Sequence, residues 1–215
     1  MTDLVGRPFP TADEALPPET DGRRLRRAMN REAVVDALLD LYGEGNLRPG
    51  TDEIAERAGI SPRSLFRYFE DTDDLASEAV SRQLARALPL VQLDVELDAP
   101  LADRVQTLVD QRFRLFEAVG QAAHVTRLRA PFQPRLAETL AESRHFLRMQ
   151  VRALFAVELE AMDNDRAEGV LGAADVLTSY ESYQLLTTDQ GFPPGEAKSV
   201  VGRAVSTLLS PAGSR

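Results

Sequence analysis

An all-α fold is what this sequence predicts, and three observations carry the prediction. Apolar residues recur at three- and four-residue intervals along most of the 215 residues, and no stretch alternates as a half-buried strand would. The apolar share of 43% rests on Leu, Val and Ala, with aromatics at 6% and no tryptophan, so the cores are aliphatic and two of their commonest residues are strong helix formers. Breaks between the periodic runs carry helix-terminating chemistry: Gly, Asn, Pro and short Asp or Ser caps.

Residues 1–22 are rich in proline and carboxylates and read as a disordered lead-in, not a secretory signal. A first helix opens at Asn30-Arg31-Glu32 and carries Val34, Val35, Leu38, Leu39 and Leu41-Tyr42 until Gly43, Gly45 and Asn46 close it. After the Pro49-Gly50 turn, Thr51 reads as the N-cap of a short helix over about 52–58. Gly59 supplies a residue that tolerates positive φ, and Ser61-Pro62 opens a second short helix over about 62–69. Asp71 and Asp74 cap a helix running to about Pro89, and 89–100 read as a loop. Further helices follow Leu101, Leu136, residue 166 and residue 194, with Pro131 and Pro134 bracketing one break. About nine helices are expected in all.

The formal charge of -9 argues against a polyanion partner only on average. Residues 22–70 hold nine arginines against eight acids, whereas the segments on either side are net acidic, and DNA responds to the local field at its contact face. Cysteine is absent, which removes disulfides, thiolate metal sites and thiol nucleophiles and fits a cytoplasmic location. No run approaches a membrane span.

Chemistry concentrates in Glu53–Phe69. Two short helices joined by a glycine turn are helix-turn-helix geometry, with Ala55 at the point of closest approach. Placed at 100° per residue, Leu65, Phe66 and Phe69 share an apolar side, while Arg63, Ser64, Arg67 and Tyr68 share the other. The second side offers guanidinium groups for guanine edges or phosphates and hydroxyls for phosphate oxygens. A solvated surface would look the same, and spacing alone does not decide. The same holds for the basic cluster Arg23, Arg24, Arg26 and Arg27.

From Arg31 to Leu75 the chain resembles the N-terminal domain of tetracycline-repressor-type (TetR family) transcriptional regulators. The resemblance rests on the opening helix, Glu44-Gly45, Thr51 with Ile54-Ala55, Ala58-Gly59-Ile60-Ser61, Leu65-Phe66-Arg67-Tyr68-Phe69 and Asp74-Leu75. It implies an all-α homodimer with a DNA-binding head over 23–72 and an effector-binding, dimerising helical body over 73–215. It further implies that Thr51 and Tyr68 contact phosphate, that Ser61, Pro62, Arg63, Ser64 and Arg67 lie in or beside the groove of double-stranded DNA, and that Leu65 and Phe69 are structural. Thr72 stands where the family usually has a lysine, so one phosphate contact is in doubt, and the acids from Glu70 to Asp74 make that edge repulsive to DNA.

In the body, Phe113, Phe116, Phe146, Met149, Tyr180 and Tyr183 are candidates for lining an effector pocket, although apolar spacing does not separate lining from ordinary core. Ala173, Leu177, Val201, Ala204, Val205 and Leu208 read as core on periodicity alone; the resemblance implies that they pair two copies. A two-fold dimer would hold its recognition helices ~34–36 Å apart on a near-palindromic operator. The resulting expectation is a regulator of transcription, more a repressor than an activator, released by a small molecule. No catalytic constellation, cofactor or metal site is expected. Glu142 and His145 have the Glu-x-x-His spacing of a di-iron bundle, but such sites need two copies, and His124 follows Gln121. A helical scaffold without a DNA role is the other rival.

Overall fold

The computed structural model describes residues 21–210, and throughout that range the chain is helical with no strand. The first helix, α1, spans Asp21–Gly43 and so begins nine residues before the expected Asn30. Arg, Leu, Ala and Met between 23 and 29 are all good helix formers and no proline interrupts them, so the helix propagates backward without a tertiary partner. The rest of the expected lead-in lies outside the described residues.

Gly45, at φ 88°, turns the chain out of α1. Helix α2 follows over Thr51–Arg57, with Gly50 and not Thr51 as its N-cap; Glu53 Oε2 accepts the Gly50 N–H at 2.7 Å. Gly59 sits at φ 68° and lets Ile60 N donate back to Ala55 O at 3.0 Å, which holds α2 against the next helix. That helix, α3, is only Pro62–Leu65. Beyond it the backbone tightens to i→i−3 bonds, Arg67 N to Ser64 O and Tyr68 N to Leu65 O, so the expected eight-residue helix is one α-turn with a 3₁₀-like extension.

Helix α4, Thr72–Ala87, is capped as its aspartates predict: Asp71 Oδ1 accepts from Asp73 N and Asp74 N, and Asp74 Oδ2 accepts from Glu70 N. A 3₁₀ turn at Leu88–Val91 occupies the start of the expected loop. Helix α5 runs Leu101–Arg129, α6 Pro134–Leu154, α7 Ala156–Glu160, α8 Asn164–Leu177, α9 Tyr180–Gln184 and α10 Pro194–Leu209. Ten α-helices lie among the described residues, in keeping with the expected nine or so, and the expected run from 166 to 189 is broken. Thr178 donates its hydroxyl to Ala174 O at 2.8 Å, Ser179 caps α9 by accepting from Ser182 N, and the chain then widens into a π turn over Leu185–Asp189.

Two cores form. The head core gathers Val34, Val35, Leu38, Leu41, Tyr42, Ile54, Leu65, Phe69, Leu75 and Ala79, and takes one residue, Val125, from α5. Leu65 at 0% exposure and Phe69 at 2% are the anchors of α3, each worth about 1.5–3 kcal/mol of burial. Phe66 departs from its expected place: it is 52% exposed, because it directly follows fully buried Leu65 and the tightened turn swings it outward. The body core joins α5, α6, α7, α8 and α10 through Val109, Phe113, Val151, Phe155, Leu171, Val201 and Val205.

Helix α5 is bent within its length. Gly120 adopts φ 47° and ψ −138°, and the Tyr180 hydroxyl donates to the Gly120 carbonyl at 3.2 Å. That backbone region is one that only glycine enters without strain. We expect Gly120→Ala to lower stability by about 1–3 kcal/mol in urea unfolding, although nothing lies within 4 Å of the added Cβ.

Candidate nucleic-acid interface and body cavity

At the open side of α3, Arg63 and Arg67 are exposed, and among the described residues neither has a carboxylate within ion-pairing distance. Arg57, the third arginine of this stretch, is spent differently. Its Nη1 and Nη2 donate to the two oxygens of Glu44 at 2.8 and 2.9 Å and tie α2 to the end of α1. Tyr68 is half-buried, and Asn30 Nδ2 donates to its hydroxyl oxygen at 3.0 Å. The phenol is thereby positioned with its own O–H still available. Asn30 is thus a positioning residue that the sequence gave no reason to single out.

Ser61 and Ser64 behave partly as caps. Ser61 Oγ accepts from Ser64 N at 3.3 Å and lies 2.8 Å from Ser64 Oγ, so the two hydroxyls are first engaged with each other. Pro62 is exposed at the first helical position. Thr51 opens α2, half-exposed, with its hydroxyl unengaged among the described residues because Gly50 has the capping role. Arg24, Arg26 and Arg27 stand exposed on the first turns of α1 and are unpaired among the described residues. The acidic edge is less free than expected: Asp71 and Asp74 are engaged in capping, and Asp73 Oδ1 accepts from Gln133 Nε2 at 2.6 Å and lies 3.4 Å from Arg129 Nη1.

The body holds a cavity of about 460 Å³ between α4, α5, α6 and α9. Of the six candidate lining residues, Phe116, Phe146, Met149 and Tyr180 face it. Phe113 and Tyr183 do not. They pack edge-to-face on each other with ring centroids 5.2 Å apart and close the wall from behind. Much of the lining comes instead from α4 and the Leu88–Val91 turn, through Val80, Leu84, Ala87, Leu88 and Val91, which lacked any aromatic to draw attention to them. Glu142 and His145 both border the cavity from α6, and no cluster of three or more Asp, Glu or His side chains suited to a metal ion occurs among the described residues.

Beside the cavity, Arg127 lies over the Tyr180 ring at 4.2 Å and donates from Nε to Glu181 at 2.9 Å, while Arg144 donates to the same Glu181 oxygen. Burial alone would raise the Glu181 carboxyl, but the hydrogen bonds from Arg127 and Arg144 outweigh it and hold the group at about 2, below its ordinary 4.5.

Among the candidate dimer residues, Val201 and Val205 are 2% and 0% exposed within one chain and belong to its core, since α10 turns its i, i+4 stripe inward. They present no surface to a second copy. Ala173, Leu177, Ala204 and Leu208 remain partly open, and Val176 beside them is 64% exposed.

Residues 34–79 match the family model of bacterial regulatory proteins, tetR family. Over that stretch, 46 of the 215 residues, the chain is similar to tetR-family domains. A search of the curated proteins gives no match. Among solved structures, a transcriptional regulator from Rhodococcus sp. Rha1 is similar with a TM-score of 0.62 at 19% identity, over 85% of this chain and 95% of that one. The fatty acid degradation regulator FadR from Bacillus halodurans superposes at 0.56 with 16% identity, over 86% and 97%. The multidrug binding protein EbrR, complexed with imidazole, superposes at 0.51 with 22% identity, over 91% and 94%. The helical fold of the chain, beyond the matched stretch as well as within it, is shared with these three proteins. No helix among the described residues is long and apolar enough to cross a membrane.

The Glu181 pairing has a pH signature. A carboxyl depressed in the fold contributes stability that is complete above 4.5 and is lost as pH falls through about 2. The stability difference between the parent protein and Glu181→Gln should accordingly be present at pH 7 and shrink steadily between pH 4.5 and 2, read from urea midpoints.

Proposed function

We propose that this protein is a homodimeric, sequence-specific DNA-binding regulator, a repressor that leaves a near-palindromic operator when a small molecule fills the body cavity. The division into a head over 23–72 and a body over 73–215 belongs to this reading. One observation carries it above the others: Arg63 on α3 and Arg67 just beyond it stand exposed and, among the described residues, without carboxylate partners, in a stretch that matches the tetR-family model and beside a Tyr68 held by Asn30. In a chain of net charge -9, arginines left unpaired on one short face are placed for an anion from outside. Ser61, Pro62, Ser64 and Thr51 extend that face toward phosphates, and Arg24, Arg26 and Arg27 on α1 supply the charge that Thr72 withholds.

Two copies pair through the open sides of α8 and α10, where Gly169, Gly172, Ala173 and Ala204 allow close helix approach. The cavity supplies the control. Helix α5 lines it with Phe116, Val119, Ala122, Ala123, Thr126 and Arg127, and the same helical turns deliver Val125 into the head core and Arg129 onto Asp73. An occupant that shifts this half of α5 shifts the head with it, and operator and effector weaken each other by one common factor. That a multidrug binding protein shares the fold supports a small molecule as the effector. Operation on chromosomal operators places the protein in the cytoplasm.

The first test is binding to the DNA flanking its own gene, by fluorescence anisotropy at fixed salt against random duplex. Arg67→Ala and Arg63→Ala should each weaken that binding by about 1–3 kcal/mol with unchanged far-UV circular dichroism, and Tyr68→Phe by less. Equal affinity for flanking and random duplex would overturn the reading. Ala173→Arg should convert a dimer to a monomer in sedimentation velocity and abolish operator binding together with it.

A further inference from the structure

The chemistry of the body cavity goes further than a generic effector site, and the following rests on the reading that this cavity receives a ligand. Its walls are apolar, and Leu88, Phe146 and Met149 at its border are exposed at 47%, 41% and 43%, so an occupant would cover hydrocarbon that water now meets. Apart from the His145 imidazole, which has no hydrogen-bond partner among the described residues, the neutral polar groups that line it are already engaged. Thr126, Thr139 and Ser143 each donate to a carbonyl of their own helix, and Gln83 donates to Ala118 O.

What remains is charge, and it is unbalanced. Arg127 uses Nε on Glu181 and Nη1 on Ala123 O, which leaves Nη2 unspent; Arg144 uses only one nitrogen, on the same Glu181 oxygen. Both arginines border the cavity, whereas Glu181 does not. Two cations therefore share one carboxylate that stands outside the cavity. Glu142 also borders it, exposed on α6, but lies about 200° around that helix from Arg144 and pairs with neither arginine.

An independent cation lies behind the wall. Arg112 is 1% exposed and donates only to neutral oxygens: Gln111 at 2.6 Å, Gln150 at 2.9 Å and the carbonyl of Leu147, itself a cavity residue, at 2.9 Å. Its Nε has no partner at all. Burial lowers it only to about 10, so it remains charged at neutral pH, and the nearby Asp175 is 3.5 Å from Arg148. A buried guanidinium with no carboxylate to bond is costly, and in a low-dielectric interior its field reaches the adjoining cavity.

We propose that the cavity takes an amphipathic carboxylate, with an apolar body against Leu115, Phe116, Phe146 and Leu147 and its anionic end on Arg127 and Arg144. A planar carboxylate matches the guanidinium donors left open there, and it balances a site that holds more cations than acids. An amphipathic cation would meet the same excess as repulsion.

Isothermal titration calorimetry of the full-length protein, without DNA, tests this with decanoate, 2-naphthoate, decanol and decyltrimethylammonium as probes. At least one carboxylate should bind, at least tenfold more tightly than the alcohol or the cation. Arg144→Gln, at a side chain more than half exposed, should remove most of that preference and leave decanol unchanged; Arg127→Gln should do the same, with circular dichroism confirming its fold. Failure of both carboxylates to bind, equal binding of acid and alcohol, preference for the cation, or carboxylate binding that Arg144→Gln does not weaken would each overturn the proposal. Carboxylate binding that leaves operator affinity untouched would retire the gating reading and keep this site.

Discussion

One helix belongs to both halves of the molecule, and the rest of the structure depends on that. Helix α5 starts in the body core at Val105 and Leu108, bends at Gly120, and ends with Val125 buried in the head. A straight helix of 29 residues would span about 44 Å and could not follow both cores. The glycine breaks the line, and the Tyr180 hydroxyl satisfies the carbonyl that the break releases. The two cores are therefore joined through α5, and the start of α4 is tied to the α5–α6 junction by the Asp73 contacts to Arg129 and Gln133.

The cost of that design appears in the body's polar groups. Arg104 is buried yet bonded to Glu158 and to the carbonyls of Ala99 and Leu154, so its charge is compensated. Arg112, two turns further along α5, has no such partner and instead organises Gln111 and Gln150, whose amides hold the carbonyls of Leu90 and Val91. The 3₁₀ turn that borders the cavity is thus fastened to the cavity's far wall through a single cation. Nearer the head, Arg127 connects Tyr180, Glu181 and Ala123. Cavity shape and the bend in α5 are set by the same few side chains.

Much of the head was legible in the sequence because its signals are local. Gly59 at positive φ, Ser61 and Pro62 at the start of α3, and Asp71 with Asp74 at the start of α4 act within four residues of themselves. The alternation of buried Leu65 and Phe69 with exposed Arg63 and Arg67 follows from helical spacing. Phe66 escaped it, since a one-turn helix that tightens afterwards does not keep a 100° step. The cap of α2 is Gly50 and not Thr51, because glycine takes the capping backbone conformation without a side chain to announce it.

The body shows where sequence stops. Period and composition determined that it is helical, aliphatic and free of thiol chemistry, because those properties sum over short windows. Tertiary structure alone decided that Phe116 and Tyr180 border a cavity while Phe113 and Tyr183 fill a core, that Val201 and Val205 face inward, and that Arg127 and Arg144 converge on one Glu181. Each of those outcomes depends on residues 30 or more positions apart being brought within a few ångströms. An apolar stripe records that a face is buried; it carries no information about whether protein, ligand or a second chain does the burying.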